Sequence, residues 1–191
     1  MTTAQPDDTA LWQRVLANDP LAYAELFDRH STRVYRRARG MLDNVSDAED
    51  VTAAAFFELW RRHRSVRLVN GSVVPWLLVT VVNFSRNQLR GIARYRAAIG
   101  SLPRSEATVD PSEIVAQRID GSPIATEVQK LGRVDSALLV LTAVEGYTIA
   151  EAAAVLGLQP GAARMRLSRA RTRIRDSHHP VIHPLTQGET P

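Results

Sequence analysis

One segment, residues 146–175, constrains the fold more than any other, because two helical patterns meet there at a single glycine. The first pattern repeats small and apolar residues at helical spacing, namely Ile149, Ala152, Ala153 and Leu156. Gly157 suits the left-handed conformation that ends helices, and Pro160 suits the first turn of the next helix. The second pattern has its apolar stripe at Ala163, Leu167, Ala170 and Ile174. Two short helices at a tight corner predict a helix-turn-helix.

The second helix of this pair is strongly basic, with many arginines and no acidic residue before position 176. When a helix-turn-helix binds DNA, the first residues of its second helix approach base edges and the later ones contact phosphates. The expected base contacts are Gln159, Ala162, Ala163, Arg164 and Arg166, and the expected phosphate contacts are Arg169, Arg171 and Arg173. A structural hairpin with a basic exterior is the alternative, although arginines crowded on one helix repel each other unless an anion is present.

The distribution of charge along the chain also favours a polyanionic partner. Two stretches lack acidic residues, one between Glu58 and Glu106 and one from Ala152 to Arg175, and an acidic segment separates them. The basic residues are arginines with the exception of Lys130, and arginine suits contacts to phosphate and guanine. Two basic zones predict two contacts with one polyanion, whereas two solvated helix faces would need no partner.

Other functional classes find little support in the sequence. The chain has 191 residues and no cysteine, which excludes disulfides, cysteine-ligated zinc and thiol nucleophiles. The candidate metal site is the acidic cluster Asp43, Asp47, Glu49 and Asp50. Helix capping explains this cluster better, and the histidines His178, His179 and His183 fall in an expected tail. We therefore expect no catalytic residue, no metal site and no cofactor.

The expected location is the cytoplasm, without a membrane anchor. No apolar run approaches the roughly 18 residues of a membrane span. The first residues are acidic and do not resemble a secretion signal.

Helical periodicity extends over the rest of the chain, and no strand pattern of any length occurs. It predicts helices over residues 9–17, 21–42, 46–63, 123–131 and 133–145, with another that starts near Pro75. Ser46 with Glu49, and Thr148 with Glu151, form predicted capping boxes. The β-branched run around Pro75 is predicted to be helical, because a proline inside a strand removes a hydrogen bond.

These elements predict an all-α protein of two small helical domains. The first covers residues 9–97 and the second residues 122–177. A segment punctuated by proline, serine and glycine at 98–121 is expected to be a flexible linker, and residues 178–191 are expected to be a disordered tail.

Several motifs resemble those of bacterial RNA polymerase sigma factors of the extracytoplasmic-function (ECF) type and occur in the same order along the chain. "DAEDVTAAAFFELWRRH" is similar to the Asp-Ala-Glu-Asp helix of that family, and "PWLLVTVVNFSRNQLR" to its promoter-melting helix. The segment 146–175 resembles its helix-turn-helix, and the resemblance as a whole covers about residues 9–176. It implies a sigma region 2 bundle at 9–97, a sigma region 4 helix-turn-helix at 122–177, and a role in promoter-specific transcription initiation.

The resemblance also implies partners and contact residues. Core RNA polymerase would be bound through its β′ clamp helices and its β flap. The implied polymerase contacts in region 2 are Asp47, Glu49, Asp50, Ala53, Ala54, Phe57, Trp60 and Arg61. The implied contacts to the minus-ten strand are Asn70, Gly71, Ser72, Asn83, Arg86, Arg90 and Arg94. The helix-turn-helix would read the minus-35 element as duplex DNA, and an anti-sigma protein would regulate the factor. Trp76 and Phe84 are expected to be core residues.

The chain departs from the family pattern at several positions. Residues 53–54 are Ala-Ala where Gln-Glu is usual, which removes two polar groups from the expected polymerase-facing surface. Asn87 stands where aspartate is usual, and Gly132 and Ser136 replace the proline and arginine of a Leu-Pro-x-x-x-Arg motif. Residues 162–165 read Ala-Ala-Arg-Met for Thr-Val-Lys-Ser. These departures leave a second hypothesis open, namely a helix-turn-helix regulator or sigma-like interaction module that does not direct initiation.

Overall fold

The computed structural model of the protein describes residues 7–100 and 130–178, which form seven α-helices. In chain order they are Thr9–Leu16 (α1), Pro20–Arg39 (α2), Val45–Arg62 (α3), Val74–Gly100 (α4), Arg133–Leu139 (α5), Ile149–Leu156 (α6) and Pro160–His178 (α7). A 3₁₀ turn at His63–Ser65 follows α3, and a π-helical turn at Val140–Val144 follows α5. The described residues contain no strand, and the predicted all-α fold is confirmed. None of their helices is long and apolar enough to cross a membrane.

The start of α3 differs from the prediction. Ser46 is the predicted cap of this helix, but the observed cap is Asn44, and Val45 is the first helical residue. The Asn44 side-chain oxygen accepts hydrogen bonds from the backbone N–H groups of Ser46, at 2.8 Å, and Asp47, at 3.4 Å. Asn44 has an extended backbone, as a capping residue requires, whereas Ser46 already lies within the helix. The predicted capping box at Ser46 and Glu49 is therefore wrong.

Two helix ends also differ from the prediction. α2 ends at Arg39 and not at Leu42, because Gly40 follows and the Leu42 side chain turns into the core. The helix predicted over 133–145 is α-helical only to Leu139, and its last turn is π-helical. The predicted helix at 123–129, most of the linker (101–121) and the tail from 179 onward lie outside the described residues.

The first hydrophobic core lies among α1, α2, α3 and α4. Its fully buried side chains include Val15, Leu26, Val34, Leu59 and Leu77. Trp76 and Phe84 pack against this cluster and are partly buried, as predicted for core residues. The core fixes the directions in which the outer faces of α3 and α4 point.

α4 belongs to two cores, because it is apolar on two sides. Val73, just before its first residue, and Leu77 face the first core, whereas Val74 and Leu78 face a second one. The second core is completed from the C-terminal helices by Leu138, Leu141, Ala152, Ala153, Ala163 and Leu167. A helix that is apolar around its circumference must be buried on both sides, which explains the β-branched run at its start. The two halves of the chain therefore pack against each other through α4.

Candidate nucleic-acid and polymerase interfaces

The helix-turn-helix predicted over 146–175 is confirmed in α6 and α7. Gly157 is left-handed (φ 66°, ψ 31°), and the Leu158 N–H donates back to the Ala153 carbonyl oxygen at 2.9 Å. The predicted capping box starts α6: the Glu151 N–H donates to the Thr148 hydroxyl at 3.2 Å, and the Thr148 N–H donates to the Glu151 carboxylate at 2.6 Å. Both ends of α6 are thus determined by local hydrogen bonds, which sets the angle at which α7 leaves the corner.

The outward face of α7 is a continuous basic surface. Leu167 and Ala170 are buried on its inner side, and the arginines along the rest of the helix are in solvent. The predicted DNA contacts that are exposed are Gln159, Ala162, Arg164, Arg166, Arg169, Arg171 and Arg173. Ala163 differs from them, because it is fully buried and its methyl group packs in the second core.

Arg166 already has a protein partner. Its guanidinium donates to Asp135 of α5 at 2.9 Å, and both side chains are partly solvent-exposed. An ion pair of this kind contributes little to stability, since water screens it and two flexible side chains must be ordered. A phosphate or a base edge could therefore replace Asp135 at small cost.

The loop before α4 is a tight turn with Asn70 at its tip. Asn70 and Gly71 have positive φ angles of 50° and 70°, and Val69 and Ser72 exchange backbone hydrogen bonds of 3.0 and 3.1 Å. Asn-Gly is the preferred sequence for a two-residue turn with positive φ at both positions. The Asn70 side chain is exposed and donates to the Glu151 carboxylate, whereas Ser72 is buried.

The predicted minus-ten residues of α4 lie in two different environments. Arg90 and Arg94 are exposed on the part of the helix that extends beyond the cores. Asn83 is partly buried and accepts a hydrogen bond from Arg133 Nε at 3.3 Å. Arg86 is only 4% exposed. Two of these predicted DNA contacts therefore face α5 and its preceding turn.

Arg86 is held where α4 meets α5. Its guanidinium donates hydrogen bonds to the Ser136 hydroxyl and to the Leu131 carbonyl oxygen. Burial, with the positive charges of Arg90 and Arg133 nearby, lowers the pKa of Arg86 from its ordinary value. A DNA strand could reach this side chain only if α5 moved away.

A group of residues that joins the two halves carries no local signal in the sequence. Glu145 accepts hydrogen bonds from Arg37 Nε at 2.7 Å and Arg33 Nη2 at 3.1 Å, and we call these three residues the Glu145 cluster. Arg33 also lies over the ring of Tyr147, 5.9 Å from its centre. The two arginines are more than a hundred positions from Glu145 in the chain. Helical periodicity relates residues only a few positions apart, so it could not predict these contacts.

The outer face of α3 combines an apolar and a charged patch. Phe57 is 67% exposed and lies beside the exposed Ala53 and Ala54. One turn further on, Arg61 makes two hydrogen bonds of 2.8 Å with Glu58, and they lower the pKa of the Glu58 carboxyl. A large apolar side chain exposed next to charged groups is typical of a surface that binds another protein.

The remaining predicted polymerase contacts lie on the same helix. Glu49 and Asp50 are exposed, Trp60 is partly buried, and Asp47 accepts a hydrogen bond from Gln88 of α4 at 3.2 Å. The acidic first turns of α3 are thus available to a basic partner. Within residues 7–100 and 130–178, no group of three or more histidine, aspartate or glutamate side chains is placed to hold a metal ion.

Two family models match the chain, sigma-70 region 2 over residues 26–95 and sigma-70 region 4 over residues 123–174. RNA polymerase sigma factor CarQ of Myxococcus xanthus is 30% identical over 159 residues, which are 81% of this chain and 88% of CarQ. ECF RNA polymerase sigma factor SigM of Mycobacterium tuberculosis is 29% identical over 167 residues, 87% of this chain and 82% of SigM. The structure of CnrH in complex with the cytosolic domain of CnrY has a similar fold, with a TM-score of 0.56 at 23% identity over 90% of this chain and 96% of that one.

A basic helix-turn-helix preceded by a four-helix unit with an exposed apolar patch is typical of a DNA-binding protein that also binds another protein. Together with the matches to both regions, it shows that the chain belongs to the ECF sigma factors of bacterial RNA polymerase. The protein binds core RNA polymerase and promoter DNA and directs transcription initiation. The resemblance found in the motifs is confirmed.

Proposed function

We propose that this sigma factor holds its promoter at two points, with region 4 (residues 122–177) on the duplex minus-35 element and region 2 (residues 9–97) on the minus-ten strand. The observation that carries this proposal is the exposed arginine face of α7, which follows directly on a helix-turn-helix corner. Arginine forks match both phosphate and the guanine edge. The arginines near the start of α7 would read bases, and the later ones would hold phosphates.

The loop at 67–73 and the outer part of α4 would hold the non-template strand of the minus-ten element. Asn70 stands exposed at the tip of the turn, and its amide can both donate to and accept from a base edge. Arg90 and Arg94 extend a basic surface along α4, which suits the sugar–phosphate backbone of a single strand. In the packed arrangement the Asn70 amide is bonded to Glu151 of α6, so a base that leaves the stack would meet Asn70 once α6 has moved away.

The outer face of α3 would bind the β′ clamp helices of core polymerase. Ala53 and Ala54 offer no side-chain hydrogen bonds, so that this contact would depend on burying Phe57 and on charges at the two ends of the helix. Burial of a phenylalanine side chain contributes roughly 1.5–3 kcal/mol. Burial of Phe57 would therefore support binding to polymerase even though residues 53–54 are alanines in place of the usual Gln-Glu pair.

The packed arrangement of the two halves is too compact for both promoter contacts at once. Promoter elements about 25 base pairs apart, as their names state, lie roughly 85 Å apart on DNA that rises ~3.4 Å per pair. A compact body of this size has a radius of gyration of about 15 Å and is roughly 40 Å across. We therefore propose that the packed arrangement is a closed form, and that α5–α7 leave α4 when the protein joins polymerase. Their departure would also expose Arg86.

A regulator that favours the closed form would fit this architecture. CnrH is bound by the cytosolic domain of CnrY, and a comparable anti-sigma protein that contacts both halves is the partner we expect here. The protein would act in the cytoplasm, where polymerase and promoters are, and would need no cofactor and no catalytic residue of its own.

Reconstituted transcription tests the proposed function. The full-length protein is added to purified core RNA polymerase with genomic DNA, and the 5′ ends of the transcripts are mapped. We expect discrete start sites preceded by two shared sequence elements, one near minus-ten and one near minus-35. DNA binding without initiation at any site would instead favour a helix-turn-helix regulator, and starts without a shared minus-35 element would contradict the role given to α7.

A further inference from the structure

A buried carboxylate joins the segment before α1 to the loop at 67–73. Asp8 is fully buried, and its Oδ2 accepts hydrogen bonds from the Ser72 hydroxyl and the Val73 N–H, each at 3.1 Å. The backbone N–H of Asp8 donates to the Gly71 carbonyl oxygen at 2.7 Å. Three consecutive residues of the loop are thus bonded to one residue that is more than sixty positions earlier in the chain.

On its other side Asp8 faces α2. His30 Nε2 lies 2.9 Å from both carboxylate oxygens, and Arg29 Nη1 lies 3.2 Å from Oδ1. Burial alone would raise the pKa of Asp8, but hydrogen bonds from His30, the Val73 N–H and Ser72 outweigh it and hold the pKa below its ordinary value. Asp8 is therefore a buried anion with its acceptor sites filled, and removal of its charge would weaken its bonds to donors of both α2 and the loop.

The bonds to Asp8 decide which way the side chains of the loop face. Ser72 turns inward and is 1% exposed, whereas Asn70, at the tip of the turn, is exposed. Asn70 has a left-handed backbone, which asparagine readily adopts in an Asn-Gly turn, so the turn forms locally and the bonds to Asp8 determine where it lies. The segment before α1 lies directly against the turn, since a Cβ atom on Gly71 would stand 2.7 Å from the Asp7 carboxylate.

We infer that Asp8 is a positioning residue for reading the minus-ten strand, because it fixes the turn from behind so that the Asn70 carboxamide meets one unpaired base in a single orientation. The inference rests on the proposed assignment of this loop to the minus-ten strand. An amide distinguishes bases only when its donor and acceptor are held in place, since rotation exchanges them. Arg90 and Arg94 would still bind the strand through phosphates, which carry no base information.

The test compares Asp8→Asn with Asp28→Asn in the full-length protein bound to core polymerase. The first change keeps the size of the side chain but removes its charge, and Asp28 is exposed on α2, so that its replacement changes the net charge equally. Initiation is measured on a mapped promoter with each of the four bases at every minus-ten position of the non-template strand. We expect D8N to reduce the preference at one position by about tenfold, the size of one lost base contact, and D28N to leave every preference unchanged.

Two further variants separate the possible outcomes. Ser72→Ala removes one donor to Asp8 but keeps the Asp8 charge, and a smaller loss at the same position is expected. Asn70→Ala should abolish the preference at that position. If N70A changes the preference but D8N and S72A do not, or if they lower initiation equally with all four bases, Asp8 has only a structural role and the inference is overturned. If N70A itself changes no preference, the assignment of the loop to the minus-ten strand fails, and the inference fails with it.

Discussion

Individual arginines of α7 differ in what they can contact, because each lies at a different depth along the same helix. Arg164 is exposed one turn after the start of α7, where a recognition helix meets base edges. Arg173 is exposed more than two turns further on, where the helix passes the phosphate backbone. Exposure alone does not distinguish them, whereas position along the helix does.

Arg164→Ala and Arg173→Ala should therefore weaken promoter binding in different ways. The first should reduce discrimination between a matched and a mismatched minus-35 element by about 1–3 kcal/mol, the contribution of one bidentate base contact. The second should weaken binding to both sequences equally and lower the slope of log affinity against log salt by about 1. Binding of short duplexes at several salt concentrations measures both quantities. An equal, sequence-independent loss from the two variants would contradict groove reading by α7.

At the scale of an element, the angle between α6 and α7 depends on one backbone conformation. Gly157 has a φ of 66°, and a Cβ atom at this position would meet no heavy atom within 4 Å. Any cost of a larger residue there comes from the backbone and not from a clash. Gly91 offers a matched comparison, because it lies within α4, has equal space around it and does not have a left-handed backbone.

Alanine at these two glycines should have opposite effects on stability. Gly157→Ala forces a side chain into the left-handed region and should lower the free energy of unfolding by about 1 kcal/mol. Gly91→Ala should raise it by about 0.5–1 kcal/mol, because alanine is the better helix former. Denaturant unfolding followed by circular dichroism gives both values. If the free energy of unfolding changes in the same direction in both variants, the left-handed backbone at Gly157 does not determine the stability of the corner.

At the scale of the whole molecule, the closed form depends on contacts between distant parts of the chain. The Glu145 cluster joins α2 to the turn after α5, and the second core joins α4 to α5–α7. Glu145 is largely buried, and its two arginine partners are partly exposed. Loss of this carboxylate leaves two like charges side by side at the interface, which favours separation of the halves.

Glu145→Ala should thus shift the free protein toward an open form. We expect roughly tenfold tighter binding of a single-stranded minus-ten oligonucleotide, because Asn83 and Arg86 become accessible. This factor corresponds to an interface between the two halves that is less stable by about 1.4 kcal/mol. Fluorescence anisotropy measures the affinity, and energy transfer between dyes on α2 and α7 measures the separation. Asp28→Ala removes the same charge away from the interface and should change neither. Unaltered affinity and separation in E145A would show that the Glu145 cluster does not keep the protein closed.

Local sequence patterns were enough to predict which segments are helical, where most of them end and which family the chain resembles. Helical periodicity, the capping box at Thr148 and the glycine at 157 involve residues only a few positions apart, so their consequences can be predicted without a tertiary structure. The prediction for the start of α3 is wrong for a related reason. Asn44 and Ser46 are both good capping residues, and the pattern alone does not say which of them takes the extended backbone.

Local patterns did not show which of the predicted contacts face solvent, because that depends on how distant segments pack. Arg86 is a minus-ten candidate by its motif, but its partners Ser136 and Leu131 lie 50 and 45 positions away. Ala163 is buried whereas its neighbour Arg164 is exposed. Ser72 faces the carboxylate of Asp8, which is more than sixty positions earlier in the chain. Burial depends on which surfaces meet, and such surfaces come from segments far apart in the chain. Local patterns cannot predict which distant segments will meet, because a helical hydrogen bond joins residues only about four positions apart.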